Sequence, residues 1–301
     1  MSNASSKASM ADQMANKDGF IAALDQSGGS TPKALGQYGV GENTWSSEEE
    51  MYSLIHQMRA RIIKSPAFCG EKVIGAILFE RTMNGEIEGI PTADFLWQKN
   101  GVVPFLKCDK GLAKENDGVQ LLNPMPELDK LLEQANAKNI FGTKMRSVIN
   151  AANTAGIAAN IAQQFEVGHQ ILAHGLVPIL EPEVNITIAD KAEAEEIVLQ
   201  EITKNLDSVK EDTPIMLKLS LPTNANLYKS LIDDPRVMRV VALSGGYSRN
   251  EANAKLVQNN GMIASFSRAT AEGLSAKQSD AEFDTILAST IESIFEASKA
   301  A

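Results

Sequence analysis

Cysteine is nearly missing. The 301 residues hold two, Cys69 and Cys108, too few for a disulfide framework or a cysteine-based metal site. Cys108 sits inside a strand-like apolar run, where a small core residue belongs, so both are expected as free thiols. Histidine is almost as scarce. The three present, His56, His169 and His174, fall on predicted helices without ligand spacing, which argues against chemistry that needs several imidazoles on one metal. Long apolar runs are absent too, and none approaches the ~20 residues of a membrane span. Positive charge is in deficit, with a formal net charge of -10, whereas a nucleic-acid surface needs Lys and Arg clustered on one face. A small phosphorylated ligand survives that argument, because a few local cations and backbone N–H groups can hold a phosphate in a protein of any net charge. The stretch Met1–Lys17 is rich in Ser, Ala and Asn without a continuous apolar core, so it reads as a mobile tail leading into a short helix rather than a signal peptide. A soluble, cytoplasmic protein is expected, with no membrane and no nucleic-acid partner.

Hydrophobic residues make up 44% and charged residues 22%, ordinary for a globular chain, and the length suits one large α/β domain or two small ones. The pattern decides. Short β-rich runs occur at Phe20–Asp25, Val73–Phe79, Val102–Cys108, Ile140–Met145, Leu176–Glu181, Ile215–Leu219, Val240–Ser244 and Met262–Phe266, with helix-like segments between them. Ser46-Ser47-Glu48-Glu49 has capping-box spacing before Met51, Leu54, Ile55 and Met58 at helical period, and Ser279-Asp280-Ala281-Glu282 repeats the device. Asn153–Ala173 and Asp190–Leu206 read as amphipathic helices, and the Pro/Asn-rich stretch Asn123–Leu128 reads as a loop. Eight strands in a chain of this length predict a single (β/α)8 TIM barrel over residues 19–301, preceded by a tail or helix over residues 1–18.

Barrel enzymes place their chemistry at the carboxyl edge of the sheet, and here that edge is polar. In order it carries Asp25, Glu80-Arg81, Lys107 with Asp109, Lys144 with Arg146, Glu181 with Glu183, Lys218 with Ser220, Ser244 and Arg268. Members of an i, i+2 pair point to one side of a strand. Structural ion pairs also occupy strand ends, but that explanation weakens when nearly every strand ends this way. Lys218 stands out in Pro214-Ile215-Met216-Leu217-Lys218-Leu219-Ser220-Leu221-Pro222, because burying an ammonium costs several kcal/mol unless it is paired or deprotonated. Either the amine is a nucleophile toward a carbonyl, activated by desolvation and a nearby cation, or it sits at a strand end and snorkels to water. Two glycine turns follow strands, Asp25-Gln26-Ser27-Gly28-Gly29-Ser30 and Ser244-Gly245-Gly246-Tyr247-Ser248. The second lies where barrels often build phosphate sites, and Arg268 is near enough in the final unit to fork onto the same anion.

Several long motifs resemble one family. Gly19-Phe20-Ile21-Ala22-Ala23-Leu24-Asp25-Gln26-Ser27-Gly28-Gly29-Ser30-Thr31-Pro32-Lys33, Gly75-Ala76-Ile77-Leu78-Phe79-Glu80, Val103-Pro104-Phe105-Leu106-Lys107-Cys108-Asp109-Lys110-Gly111, Phe141-Gly142-Thr143-Lys144-Met145-Arg146, Val177-Pro178-Ile179-Leu180-Glu181-Pro182-Glu183 and Leu243-Ser244-Gly245-Gly246 are similar to those of the class I, Schiff-base-forming fructose-1,6-bisphosphate aldolases of the short bacterial type. The resemblance implies a metal-independent aldehyde-lyase of glycolysis and gluconeogenesis, without a cofactor, acting on sugar phosphates. It gives Lys218 the Schiff base, Glu181 the proton transfers of carbinolamine formation and dehydration, Asp25 the C4 hydroxyl proton, and Lys144 the role of neighbouring cation. Arg268 and Ser244–Gly246 resemble the C1-phosphate site, with Ser30, Lys33, Lys107 and Arg146 toward the C6-phosphate. There are two departures. Longer animal members end in a tyrosine that assists proton exchange, whereas this sequence ends Ser298-Lys299-Ala300-Ala301, which leaves that step to Glu181 or water. Ser267 stands where the longer members have glycine, which bears on one backbone contact to the phosphate. Transaldolase and deoxyribose-phosphate aldolase would share a strand lysine, but neither resembles the Asp25–Ser30 and Ser244–Gly246 motifs together. A barrel turned adhesin or scaffold would not need Lys218, Glu181, Asp25 and Lys144 intact. The lack of a long exposed apolar stripe favours a monomer or a dimer over a larger homo-oligomer.

Overall fold

Strands that are apolar on both sides need a sheet covered on both faces, and this chain builds one. A computed structural model, which describes residues 3–27 and 30–301, has β1 (Phe20–Leu24), β2 (Val73–Leu78), β3 (Val103–Lys107), β4 (Gly142–Ile149), β5 (Val177–Val184), β6 (Ile215–Ser220), β7 (Val237–Leu243) and β8 (Ile263–Ala264) hydrogen-bonded in sequence order. Each consecutive pair is parallel. The Ala23 amide donates to the Phe266 carbonyl at 3.1 Å, so the last strand unit meets the first and the sheet closes. This is the (β/α)8 barrel that the alternation predicts. Two strands outrun their apolar cores: β4 continues past Arg146 to Ile149, where the short strand Val119–Gln120 pairs with it antiparallel, and β5 follows it in register to Val184.

The helices begin where side chains can satisfy the free amides of a first turn. The helix over Glu48–Lys64 starts one residue later than its predicted box. Ser47 caps it by accepting from the Glu50 amide, while the Glu50 carboxylate accepts from Ser46; three consecutive glutamates allow either register. Asn153 caps Thr154–Ala173, and Ser279 forms the expected capping box of the last helix, Asp280–Ala300. A second capping box, Ser248 with Glu251, opens Arg249–Leu256 directly after the second glycine turn.

The N-terminal helix is longer than expected. Most of what reads as a tail is one helix, α1 (Asn3–Asn16). Met10 and Met14, one turn apart, are buried among Ile21, Ala23, Ile77, Phe105, Phe141, Ile179, Met216 and Val241, the inward side chains of the lower barrel. Gln13 donates to the carbonyls of Ile74 and Gly101. Arg239, on β7, donates to the carbonyls of Met14 at 2.9 Å and Ala15 at 2.7 Å, satisfying orphan acceptors and placing a cation at the negative end of the helix dipole. The helix thus closes the amino end of the barrel, and the site lies at the other. Among the described residues no helix is long and apolar enough to cross a membrane.

Met14 has no exposed surface. Met14→Ala should therefore lower the free energy of unfolding by about 2–5 kcal/mol, the scale for truncating a buried methionine. Urea denaturation measures it, and a loss below about 1 kcal/mol would mean the helix is not seated in the core.

Candidate active site

Alternation along the strands stacks the barrel interior in layers. Ile21 and Ala23 lead to Asp25, Val103 and Phe105 to Lys107, Ile179 to Glu181, and Met216 to Lys218, so an apolar floor lies beneath an ionisable layer at the carboxyl ends. Register aligns neighbours: Lys107 lies opposite Lys144 across β3 and β4, and Arg146 opposite Glu181 across β4 and β5. Asp25, Lys33, Lys107, Lys144, Arg146, Glu181, Lys218, Ser244, Gly245 and Arg268 all line one cavity of about 900 Å³. Gly246 is adjacent, since a Cβ built on it would lie 3.5 Å from the Arg268 Nη2. Ser30 opens the helix Ser30–Gln37; its side chain and the Gly28-Gly29 turn lie outside the described residues.

At the floor of the cavity the side chains of Asp25, Lys144, Glu181 and Lys218 are buried. Lys144 Nζ lies 2.6 Å from Asp25 Oδ2 and 2.9 Å from Glu181 Oε2. Lys218 Nζ lies 3.1 Å from the other Glu181 oxygen, Oε1. Burial pushes the Lys144 ammonium toward deprotonation, but the charges of Asp25, Glu181 and Asp109 outweigh it and hold its pKa well above the usual lysine range. For Asp25, burial raises the pKa, and the opposing charges of Lys144, Lys218 and Lys107 bring it down to about 2. Lys144 is thus a fixed cation and Asp25 a fixed anion, while Glu181 bridges the two lysines.

The mouth has two cationic ends. On one, Lys107 is held by the Asp109 side chain at 2.6 Å and its carbonyl at 3.0 Å. Asp109 also accepts from the amides of Arg146 and Gly111, both at 3.2 Å, and Arg146 pairs with Glu183 at 2.9 Å. On the other end, Gly245 and Gly246 have φ of +59° and +123°, and a Cβ at Gly245 would come within 2.7 Å of Ile186. The turn therefore needs glycine. It carries Ser244 beside Arg268 at the cavity wall.

Sequence reasoning passed over one group. Arg59, buried within the helix Glu48–Lys64, donates to Thr82 Oγ1 at 2.8 Å and to the Gln26 carbonyl, which fixes the residue after Asp25. Burial lowers its pKa to about 10, against the pull of Asp25. The signal was an arginine four residues after Ile55, on the apolar stripe where a surface cation does not belong. Asp109 and Glu183 were visible as i+2 partners, but their work in holding Lys107 and Arg146 appears only in three dimensions. Cys69 and Cys108 are free thiols, and burial pushes Cys108 up to about 12.

The model of the family "fructose-bisphosphate aldolase class-I" matches residues 7–227. A fructose-bisphosphate aldolase class 1 of Porphyromonas gingivalis is 59% identical over 286 residues, covering 95% of this chain and 97% of the relative. One from Synechocystis is 56% identical over 286 residues, covering 95% of each. The fructose-bisphosphate aldolase of Plasmodium falciparum, solved in a ternary complex with TRAP and a small-molecule inhibitor, superposes with a TM-score of 0.80 at 22% identity over 99% of this chain and 95% of that one. At that identity the likeness speaks for the barrel alone.

The depressed Asp25 has a consequence in acid. A carboxylate whose folded pKa lies below its unfolded one stabilises the fold above the unfolded value and loses that contribution as pH falls toward the folded value. From 3.8 to about 2, the whole contribution is about 2 kcal/mol, with roughly half gone by pH 3. Asp25→Asn should show a shallower fall in urea-unfolding free energy between pH 5 and pH 3 than the unsubstituted protein. Equal slopes would contradict the pairing with Lys144.

Proposed function

Because the chain belongs to the class I fructose-bisphosphate aldolases, we propose that Lys218 carries the Schiff base by which it reversibly cleaves fructose 1,6-bisphosphate to dihydroxyacetone phosphate and glyceraldehyde 3-phosphate. The observation that supports this choice of lysine is the unequal partnership of the two buried amines. Among the described residues Lys144 contacts two carboxylates and Lys218 one, which it shares, so Lys144 stays the fixed cation and Lys218 is the less tightly held amine, placed against the carboxylate that would serve its proton transfers. Lys218 Nζ attacks the C2 ketone of the open-chain sugar. Glu181, within reach of that nitrogen, takes a proton from the adding amine and returns one to the departing hydroxyl as water leaves and the iminium forms. Asp25 then takes the C4 hydroxyl proton while the C3–C4 electron pair passes into the iminium, and the aldehyde leaves. Protonation at C3 and addition of water release the ketone phosphate and regenerate the amine.

The phosphates orient the substrate. Arg268 with Ser244, Gly245 and Gly246 takes the C1-phosphate, and Lys107, Arg146, Lys33 and Ser30 serve the C6-phosphate. Residues 19–301 act as one catalytic unit closed below by the N-terminal helix, in the cytoplasm, as part of glycolysis and gluconeogenesis. A monomer or dimer suffices, since all these groups come from one chain.

C1 stays with the fragment bound to Lys218, which separates the two ends by experiment. Arg268→Ala should weaken dihydroxyacetone phosphate binding by about ten- to a hundredfold, the scale of a lost charged hydrogen bond. Lys107→Ala should leave that affinity unchanged, raise KM for fructose 1,6-bisphosphate and reduce the preference over fructose 1-phosphate. The reverse pattern would mean the sugar lies the other way round.

A further inference from the structure

Ser267 precedes Arg268 and lines the same cavity wall. Its surroundings fix which way its hydroxyl can act. The buried Arg59 guanidinium donates to the Gln26 carbonyl, and its Nη2 lies 3.5 Å from the Gln26 side-chain Oε1. A guanidinium can only donate, so it selects the amide orientation that turns Oε1 toward Arg59 and the NH2 group away. That NH2 donates to Ser267 Oγ at 2.8 Å. Ser267 Oγ is therefore an acceptor in this bond, and among the described residues its own hydroxyl proton has no acceptor. Four groups in a row, Thr82, Arg59, Gln26 and Ser267, thus run from a buried anchor to a half-buried hydroxyl at the cavity wall, one residue from the arginine.

We propose that Ser267 is a binding residue for the C1-phosphate. Its hydroxyl donates to a phosphate oxygen beside Arg268, and Gln26, oriented by Arg59, is the positioning residue that aims it. The proposal rests on the reading of Arg268 as the C1-phosphate arginine. A hydroxyl already accepting from an amide is polarised toward donation, and a phosphate is the anion whose several acceptor oxygens can take both a guanidinium and a hydroxyl. The bridge also spans the barrel closure: Gln26 follows β1 and Ser267 follows β8, so the loops of the first and last units are held together where the phosphate sits. Substituting alanine at Ser267 removes the donor, whereas threonine keeps it.

The test uses the full chain and glycerol 3-phosphate, which offers a phosphate but no ketone for the imine, as a competitive inhibitor. Its Ki is measured with KM for dihydroxyacetone phosphate and for glyceraldehyde 3-phosphate in the condensation direction. Ser267→Ala should raise Ki and the ketone-phosphate KM on the order of tenfold, with the aldehyde KM unchanged. Ser267→Thr should stay near the unsubstituted protein. Gln26→Ala should raise Ki less than Ser267→Ala, and the double substitution should be no worse than Ser267→Ala alone. If Arg268→Ala weakens the inhibitor and Ser267→Ala does not, the proposal is wrong and the C1-phosphate reading stands. An Arg268→Ala protein that binds the inhibitor normally would overturn that reading and this proposal with it. Equal increases in both substrate KM values on Ser267→Ala would also overturn it, because they would mark a disordered loop and not a lost contact.

Discussion

Lys144 is an ammonium with almost no access to water, held by Asp25 at 2.6 Å on one side and Glu181 at 2.9 Å on the other. The division of labour in the cavity follows from this arrangement. With two carboxylates on it, Lys144 does not titrate in the working range, and its charge keeps Asp25 ionised. Glu181 is left with one oxygen for Lys218, so the amine proposed as the nucleophile touches the carboxylate proposed to move its protons. Removing one partner from a buried pair of this kind typically costs about 3–5 kcal/mol. A barrel that needed only stability would gain as much from apolar side chains there, which fits the proposed catalytic use of these ions.

The scaffold makes that layer affordable by putting it at one end. Inward positions on the lower half of each strand are apolar and are packed by Met10 and Met14 of the N-terminal helix, so water is excluded from below. The ionisable side chains occupy the next layer up, within reach of Arg59 on the helix Glu48–Lys64, Asp109 just past β3 and Glu183 near the end of β5. Each residue that would meet substrate is thus supported by another that need not. Asp109 fixes Lys107 and the backbone of Arg146, Glu183 holds the Arg146 side chain, and Arg59 fixes the turn after Asp25. Preorganisation of this sort is what lets charged groups act in a site without reorganising during the reaction.

The barrel was legible because parallel strands buried on both faces are written as continuous apolar runs, and each of the eight runs became a strand. Ends were less legible where polar residues interrupt the run. Arg146 and Ser147 hide the second half of β4, which continues to Ile149. The full length of the N-terminal helix was obscured because only a few apolar residues, chiefly Met10 and Met14, carry its buried face. In the site, Lys218, Glu181, Asp25 and Lys144 could be picked from their places at strand ends, but which lysine holds which carboxylate depends on interatomic distances that no spacing encodes. Arg59 escaped notice because helical arginines are ordinarily solvated. The meeting of Gln26 with Ser267, 241 residues apart in sequence, depends on closure of the barrel.

Trapping the imine tests the central claim most directly, since it asks which of two neighbouring buried lysines is the nucleophile. Dihydroxyacetone phosphate with borohydride should inactivate the protein irreversibly, and intact-mass and peptide mapping should place one reduced adduct on Lys218. An adduct on Lys144 or any other lysine, or no adduct, would contradict the account.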